Sequence, residues 1–100
     1  MRFQVVWDRD ALNHFSDILT YLKSKSEDAP DIVRDAILDR VNQIGSNPLL
    51  FEVDRLKTPR DDDYRAFVVF SYRVTYQIHQ ESNQVRILRI RHTSREPLGY

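Results

Sequence analysis

The residues best suited to chemistry gather near the end of this 100-residue chain. Positions 85–97 read VRILRIRHTSREP and carry Arg86, Arg89, Arg91, Arg95 and His92. Val85–Arg91 has the β-branched and apolar content of a strand covered on both faces. Unpaired buried charge is costly, so these guanidiniums must reach water, carboxylates or an anionic ligand. Strict alternation puts Val85, Ile87, Arg89 and Arg91 on one face and Arg86, Leu88, Ile90 and His92 on the other. Arg65 and Arg73 lie on earlier strand-like stretches, and Asp54 is the best-placed carboxylate of the irregular stretch before them. Asp54, Arg73 and His92 then form a candidate catalytic set, with Arg65, Arg89, Arg91 and Arg95 as cations for a substrate or partner. Such a set could cleave RNA without a metal. Attack of a 2′-hydroxyl on its phosphate needs a base, an acid for the leaving 5′-oxygen, and cations for the phosphorane charge. Asp54 or His92 could supply the proton transfers, and the arginines the charge. On this reading Arg73→Ala and His92→Gln should leave the fold intact, since neither is an apolar core position.

Each of these residues also has a plainer use. An arginine on a sheet face is satisfied by water or a carboxylate. His14 on a helix and His79 at a hairpin end read as ordinary surface residues. No histidine pair has the i, i+4 spacing of a metalloprotease helix, and there is no cysteine, so neither a metal site nor a disulfide is expected. With only Gly45 and Gly99 there is no glycine-rich phosphate loop, and no cofactor is implied. Tyr72 and Tyr76 could stack on bases, but they share parity with Val74 and Ile78 and so belong to the core. The run Asp61–Asp63 reads as a solvated loop.

The charge balance argues against a partner bound mainly through phosphates. Fifteen Lys+Arg oppose fifteen Asp+Glu, whereas nucleic-acid binders are usually strongly basic. The longest apolar run, Ala66–Phe70, is far too short to span a bilayer, and Met1–Trp7 lacks a signal-peptide layout. A single cytoplasmic domain over 1–100, without membrane contact, is the expectation.

The elements that must position these residues can be read in order. Phe3–Trp7 alternates as a first strand, and Asp8 or Asp10 can cap the helix after it. In that helix Leu12, Phe15, Ile18, Leu19 and Leu22 form one stripe, ending near Lys23–Ser26. Asp28 followed by Pro30 starts a second helix, with Val33, Ala36, Ile37, Val41 and Ile44 on one face; Gly45 stops it. Residues 48–63 read as a loop. Tyr64–Phe70 is a strand, Ser71 a tight reversal or bulge, and Tyr72–His79 a strand with Arg73, Thr75 and Gln77 on its polar face. Gln80–Gln84 is a hairpin loop leading to the arginine strand. The class is α+β with order β-α-α-β-β-β: a small antiparallel sheet, a helical hairpin packed on one face, and the other face open and polar.

This order, the pattern YRVTY at 72–76 and the ending RILRIRHTSREP resemble the RelE/ParE superfamily of toxins from bacterial type II toxin–antitoxin modules. The resemblance runs from Phe3 to Pro97. It implies a growth-arresting toxin neutralised by a cognate antitoxin in a toxin–antitoxin hetero-oligomer. The RNA-cleaving branch cuts ribosome-bound mRNA, and its YoeB-like members use a carboxylate, an arginine and a C-terminal histidine, matched here by Asp54, Arg73 and His92. The ParE branch inhibits DNA gyrase and needs no catalytic residues. This chain has Thr93 where those RNA-cleaving members carry a tyrosine beside the histidine, and it is neutral where they are basic. Both departures favour gyrase-directed or other non-nucleolytic action over a ribosome-dependent mRNA endonuclease. They also admit a toxin fold retained as an inactive binding module.

Overall fold

The structure, a computed structural model, describes residues 2–95. The last residues of the arginine-rich motif, Glu96 and Pro97, lie outside the described residues, as does Gly99. The elements follow the expected order: β1 (Gln4–Trp7), α1 (Arg9–Lys23), α2 (Ala29–Ser46), β2 (Tyr64–Val69), β3 (Tyr72–His79) and β4 (Gln84–His92). The fold is α+β. β2, β3 and β4 form the expected antiparallel meander, and β1 joins β4 in parallel, which makes the sheet mixed, in order β1-β4-β3-β2. A parallel neighbour requires a crossover, and the helical hairpin supplies it. The hairpin therefore has to lie across one face of the sheet.

That face is the core. Val33, Ile37, Val41 and Ile44 of α2 pack against Phe67, Val74, Tyr76, Val85 and Ile87 of the strands. Each fully buried aliphatic side chain here contributes about 1.5–3 kcal/mol of transfer free energy. In α1 the stripe is rotated from the reading above. Ala11 is fully buried and Leu12 is 51% exposed, while Phe15, Ile18 and Leu22 pack on the core from its margin.

Local chemistry departs from the sequence reading at three more places. Asp8 stands at the start of α1, but its carboxylate accepts from Arg86 Nη1 at 2.7 Å instead of capping the helix. Gly45 does not stop α2, which continues to Ser46 without a left-handed residue. It provides room for Arg2, whose guanidinium would lie 2.8 Å from an added Cβ, and its carbonyl accepts the Phe3 N–H at 2.7 Å. The β2–β3 reversal is made at Phe70, with φ of 56°, a region rare for non-glycine residues.

The largest departure is in β4. Tyr76 pairs with Ile87 and Thr75 with Arg89, so Leu88 has no partner on β3 and forms a bulge. The extra residue reverses the parity of everything after it. Val85, Ile87 and Ile90 are all buried on the helix side, and His92 lies opposite Tyr72 on that side too. Arg89 and Arg91 lie opposite Thr75 and Arg73, on the side away from the helices. The strict alternation expected for 85–92 therefore fails, and Ile87 does not share a face with Arg89 and Arg91. Thr75, expected on the open polar face, is only 3% exposed.

Candidate functional site

The irregular segment between α2 and β2 places Asp54. It runs along the outer edge of β2, where Val53 bridges Arg65, the Asp54 N–H donates to Tyr64 O at 2.7 Å and the Ala66 N–H donates to Glu52 O at 3.2 Å. Phe51 packs on Phe67 in a tilted arrangement with ring centroids 4.8 Å apart, and the Tyr76 hydroxyl donates to Pro48 O at 2.8 Å. Arg65 ties the two ends of the segment together, donating from Nη1 to Phe51 O at 2.9 Å and from Nε to Asp62 O at 3.1 Å. Expected as a cation for substrate, Arg65 serves here as a staple for the loop that carries Asp54.

Asp54 is 1% exposed, although no apolar pattern in its surroundings announces this. Its carboxylate accepts the Leu56 N–H at 3.0 Å, a local turn that fixes its rotamer, and Arg73 Nη2 at 2.5 Å. The Arg73 side chain is itself only 12% exposed. Asp54 and Arg73 are thus brought together as the sequence suggests, but as a buried ion pair. An ion pair in this setting is costly to break, because the remaining charge stays desolvated. That corrects the expectation that Arg73→Ala would leave the fold untouched.

His92 is not brought to this pair. It lies opposite Tyr72, with the two rings perpendicular and their centroids 5.4 Å apart, on the helix side of the sheet. Its Nδ1 accepts the Ser94 N–H at 3.1 Å and lies 2.8 Å from Ser94 Oγ. Arg73 points to the opposite face, since it alternates with Tyr72 and Val74 of the core. The expected catalytic set of Asp54, Arg73 and His92 is therefore split across the sheet. Arg95 ends the last short helical turn, Thr93–Arg95, and its side chain lies outside what the structure describes.

The histidine side of the sheet has a feature of its own. A groove of about 1050 Å³ opens between the hairpin and the end of β4, lined by His14, Ile18 and Tyr21 of α1, Ile32 of α2, Tyr72 and His92. His14, read from sequence as an ordinary surface residue, accepts the Ile90 N–H through Nδ1 at 3.3 Å. β1 ends at Trp7, so among the described residues no strand lies beside the outer edge of β4 beyond Ile87, and α1 supplies an acceptor instead. The signal is present in the sequence: His14, Asp17 and Tyr21 recur at helical spacing, beside the apolar stripe that holds Ile18.

Burial perturbs two tyrosines of the core. Burial pushes the Tyr76 hydroxyl up to about 12, and burial followed by the neighbouring Tyr21 raises Tyr72. For Tyr76 the fold thus favours the neutral phenol over its value of 10.0 in a model compound. Its contribution is complete below that value and is lost as pH rises through about 12. Tyr76→Phe is expected to cost about 1 kcal/mol at neutral pH, through the lost bond to Pro48. It should also blunt the alkaline fall in stability, which urea unfolding at about pH 9 and about pH 11.5 will read. An unchanged alkaline fall would assign that limb to other groups.

Among the described residues no three His, Asp or Glu side chains cluster to hold a metal ion, and no helix is long and apolar enough to cross a membrane.

Solved structures similar to this fold include toxin–antitoxin complexes and an isolated toxin. The fold is similar to a chain of the toxin–antitoxin complex RelBE2 of Mycobacterium tuberculosis, with a TM-score of 0.68 at 18% identity, covering 92% of this chain and 99% of that one. It is similar to a chain of the chromosomal ParDE toxin–antitoxin system of P. aeruginosa, with a TM-score of 0.72 at 17% identity over 91% and 96% of the two chains. The intact RelBE complex of E. coli contains a third, with a TM-score of 0.60 at 18% identity over 88% and 93%. No curated protein matches the sequence significantly. The family model for the ParE toxin of the type II toxin–antitoxin system parDE matches residues 5–97. With nearly the whole chain covered by that model and the RelE/ParE fold in place, this chain belongs to the ParE toxin family of type II toxin–antitoxin systems.

Proposed function

We propose that this toxin arrests growth by a ParE-like, non-nucleolytic action on DNA gyrase and is neutralised by a cognate antitoxin in a hetero-oligomer. The observation that carries the non-nucleolytic reading is the division of the candidate catalytic set by the sheet. Metal-free RNA cleavage needs base, acid and cation within hydrogen-bond reach of one phosphate. Here the carboxylate and the guanidinium neutralise each other in a buried pair, and His92 lies on the other side. The net charge of zero supports the same reading, because a neutral protein gains little from counterion release at ribosomal RNA. The antitoxin partner is supported by the toxin–antitoxin complexes that share the fold.

Induced expression of the chain alone tests the first half of this proposal. Growth should stop, and co-expression of the product of a neighbouring short reading frame should restore it. That product should copurify with the chain and raise its melting temperature, since a partner that binds only the native state stabilises it. Unimpaired growth with soluble, folded protein would favour an inactive binding module instead.

A further inference from the structure

β2 is an edge strand whose outer side is covered over only its first half. The Asp54 N–H donates to Tyr64 O and the Ala66 N–H to Glu52 O, and the covering segment pairs no further along the strand. In an antiparallel ladder the outward-pointing backbone groups recur at every second residue. Val68 shares the parity of Tyr64 and Ala66, so its N–H and C=O also point away from β3. Among the described residues nothing takes either group. The Val68 side chain lies opposite Arg73, on the face away from the helices, and is 49% exposed. Phe70 at the hairpin tip is 62% exposed, and Leu50, at the head of the covering segment, 45%.

Native sheets protect such an edge with a charge, a proline or a bulge. The run Ala66–Phe70, AFVVF, has no charged residue and no proline, and its register with β3 is unbroken from Tyr64 to Val69. Short apolar runs of this kind pair readily with their own kind. The run itself offers no ion to a charged partner strand. A second copy of it brings matching apolar side chains and matching backbone groups. A two-fold axis sets Val68 against Val68 of the other copy, each N–H donating to the other's C=O. The chain's net charge of zero leaves no general repulsion between copies.

We propose that two copies of this chain pair antiparallel through the outer edges of β2, about a two-fold axis near Val68, and so join their sheets. The same stretch is used on both copies, so the assembly closes at two. The stretch is short, which places the contact among weak, transient interfaces, below about 1,200 Å². Pairing is therefore populated at high concentration and lost on dilution.

The test uses the purified full chain. Sedimentation velocity over an about 100-fold range of concentration should show the apparent mass rising from 11.9 kDa toward twice that value. At the high end the Val68 amide should exchange its hydrogen about 10-fold more slowly, while the Ala66 amide, already paired with Glu52, should not respond to concentration. Val68→Glu sets two carboxylates against each other across the axis, and within the chain it faces Arg73, so the fold tolerates it. It should weaken pairing about 10-fold or more. Phe70→Asn should weaken it as well. Asn accepts a φ of 56° more readily than Phe, so the melt of this variant should not fall, and a lost dimer cannot be put down to unfolding. Ile32→Glu, in the groove on the helix side, should leave pairing unchanged. A mass of 11.9 kDa at every concentration would overturn the proposal. A dimer broken by Ile32→Glu but indifferent to Val68→Glu would also overturn it, by placing the second copy in the groove. Growth past two copies into open-ended aggregates would overturn the two-fold pairing.

Discussion

Asp54→Ala should destabilise the fold by about 3–5 kcal/mol, the scale of removing one partner from a buried ion pair. The cost comes from the partner left behind: Arg73, 12% exposed, keeps its charge and loses the carboxylate that accepts from it at 2.5 Å. The Leu56 N–H loses its acceptor as well, so the loop beside β2 should loosen. Urea unfolding of the single variants and of the double variant Asp54→Ala, Arg73→Met forms a cycle. The double variant should be clearly more stable than the sum of the singles, because no buried charge remains. Additive losses would show that the pair is not coupled. For a domain whose total stability is of order 5–15 kcal/mol, Asp54→Ala brings unfolding within reach at growth temperature. A loss of toxicity in this variant is therefore a folding effect until soluble, native protein has been demonstrated.

One alanine inserted between Arg89 and Ile90 should unfold the protein. The insertion carries Ile90, now 2% exposed, out of the core and turns Arg91 inward. Losing the burial of Ile90 costs about 2–5 kcal/mol by itself, and burying an unpaired guanidinium adds several more. Deletion of Leu88 should have a far smaller effect. Without it, Val85, Ile87, Ile90 and His92 fall into regular alternation on the helix side, and every remaining partner on β3 keeps its place. The deletion variant should stay folded and cooperative, with a loss confined to the bulge and to the partly buried Leu88 side chain. Circular dichroism melts of the two variants make the comparison. Equal damage from both would mean that the bulge is not where the register is absorbed.

The bulge also explains why the elements were legible and the site was not. Periodicity located β1, both helices and the three C-terminal strands, because each buries a continuous apolar face, as Ile37, Val41 and Ile44 do in α2. Parity within β3 is regular, so Tyr72, Val74, Tyr76 and Ile78 were readable as core. In β4 the apolar residues Ile87, Leu88 and Ile90 fit two phases equally well, and only pairing with β3 selects between them. Strict alternation therefore separates Ile87 from Ile90, whereas the bulge puts both on the helix side with His92. The carboxylate of Asp54 was found by its position in the chain. Its burial was not foreseeable, since it depends on a loop tied down by Arg65 and Tyr76 from elsewhere in the sequence. His14 was passed over for a similar reason. Its role arises from the unpaired outer edge of β4, which the parallel placement of a short β1 creates.

The proposed action on gyrase is one of surface contact and not of proton transfer at a phosphate. Purified chain should be added to DNA gyrase with relaxed plasmid and, in parallel, to ribosomes translating a defined mRNA. Wild-type protein should block supercoiling, His92→Gln should block it to within a few-fold, and the mRNA should stay intact. Codon-positioned mRNA cuts that fall about 10²–10⁴-fold in rate with His92→Gln, while gyrase remains fully active, would contradict gyrase-directed action.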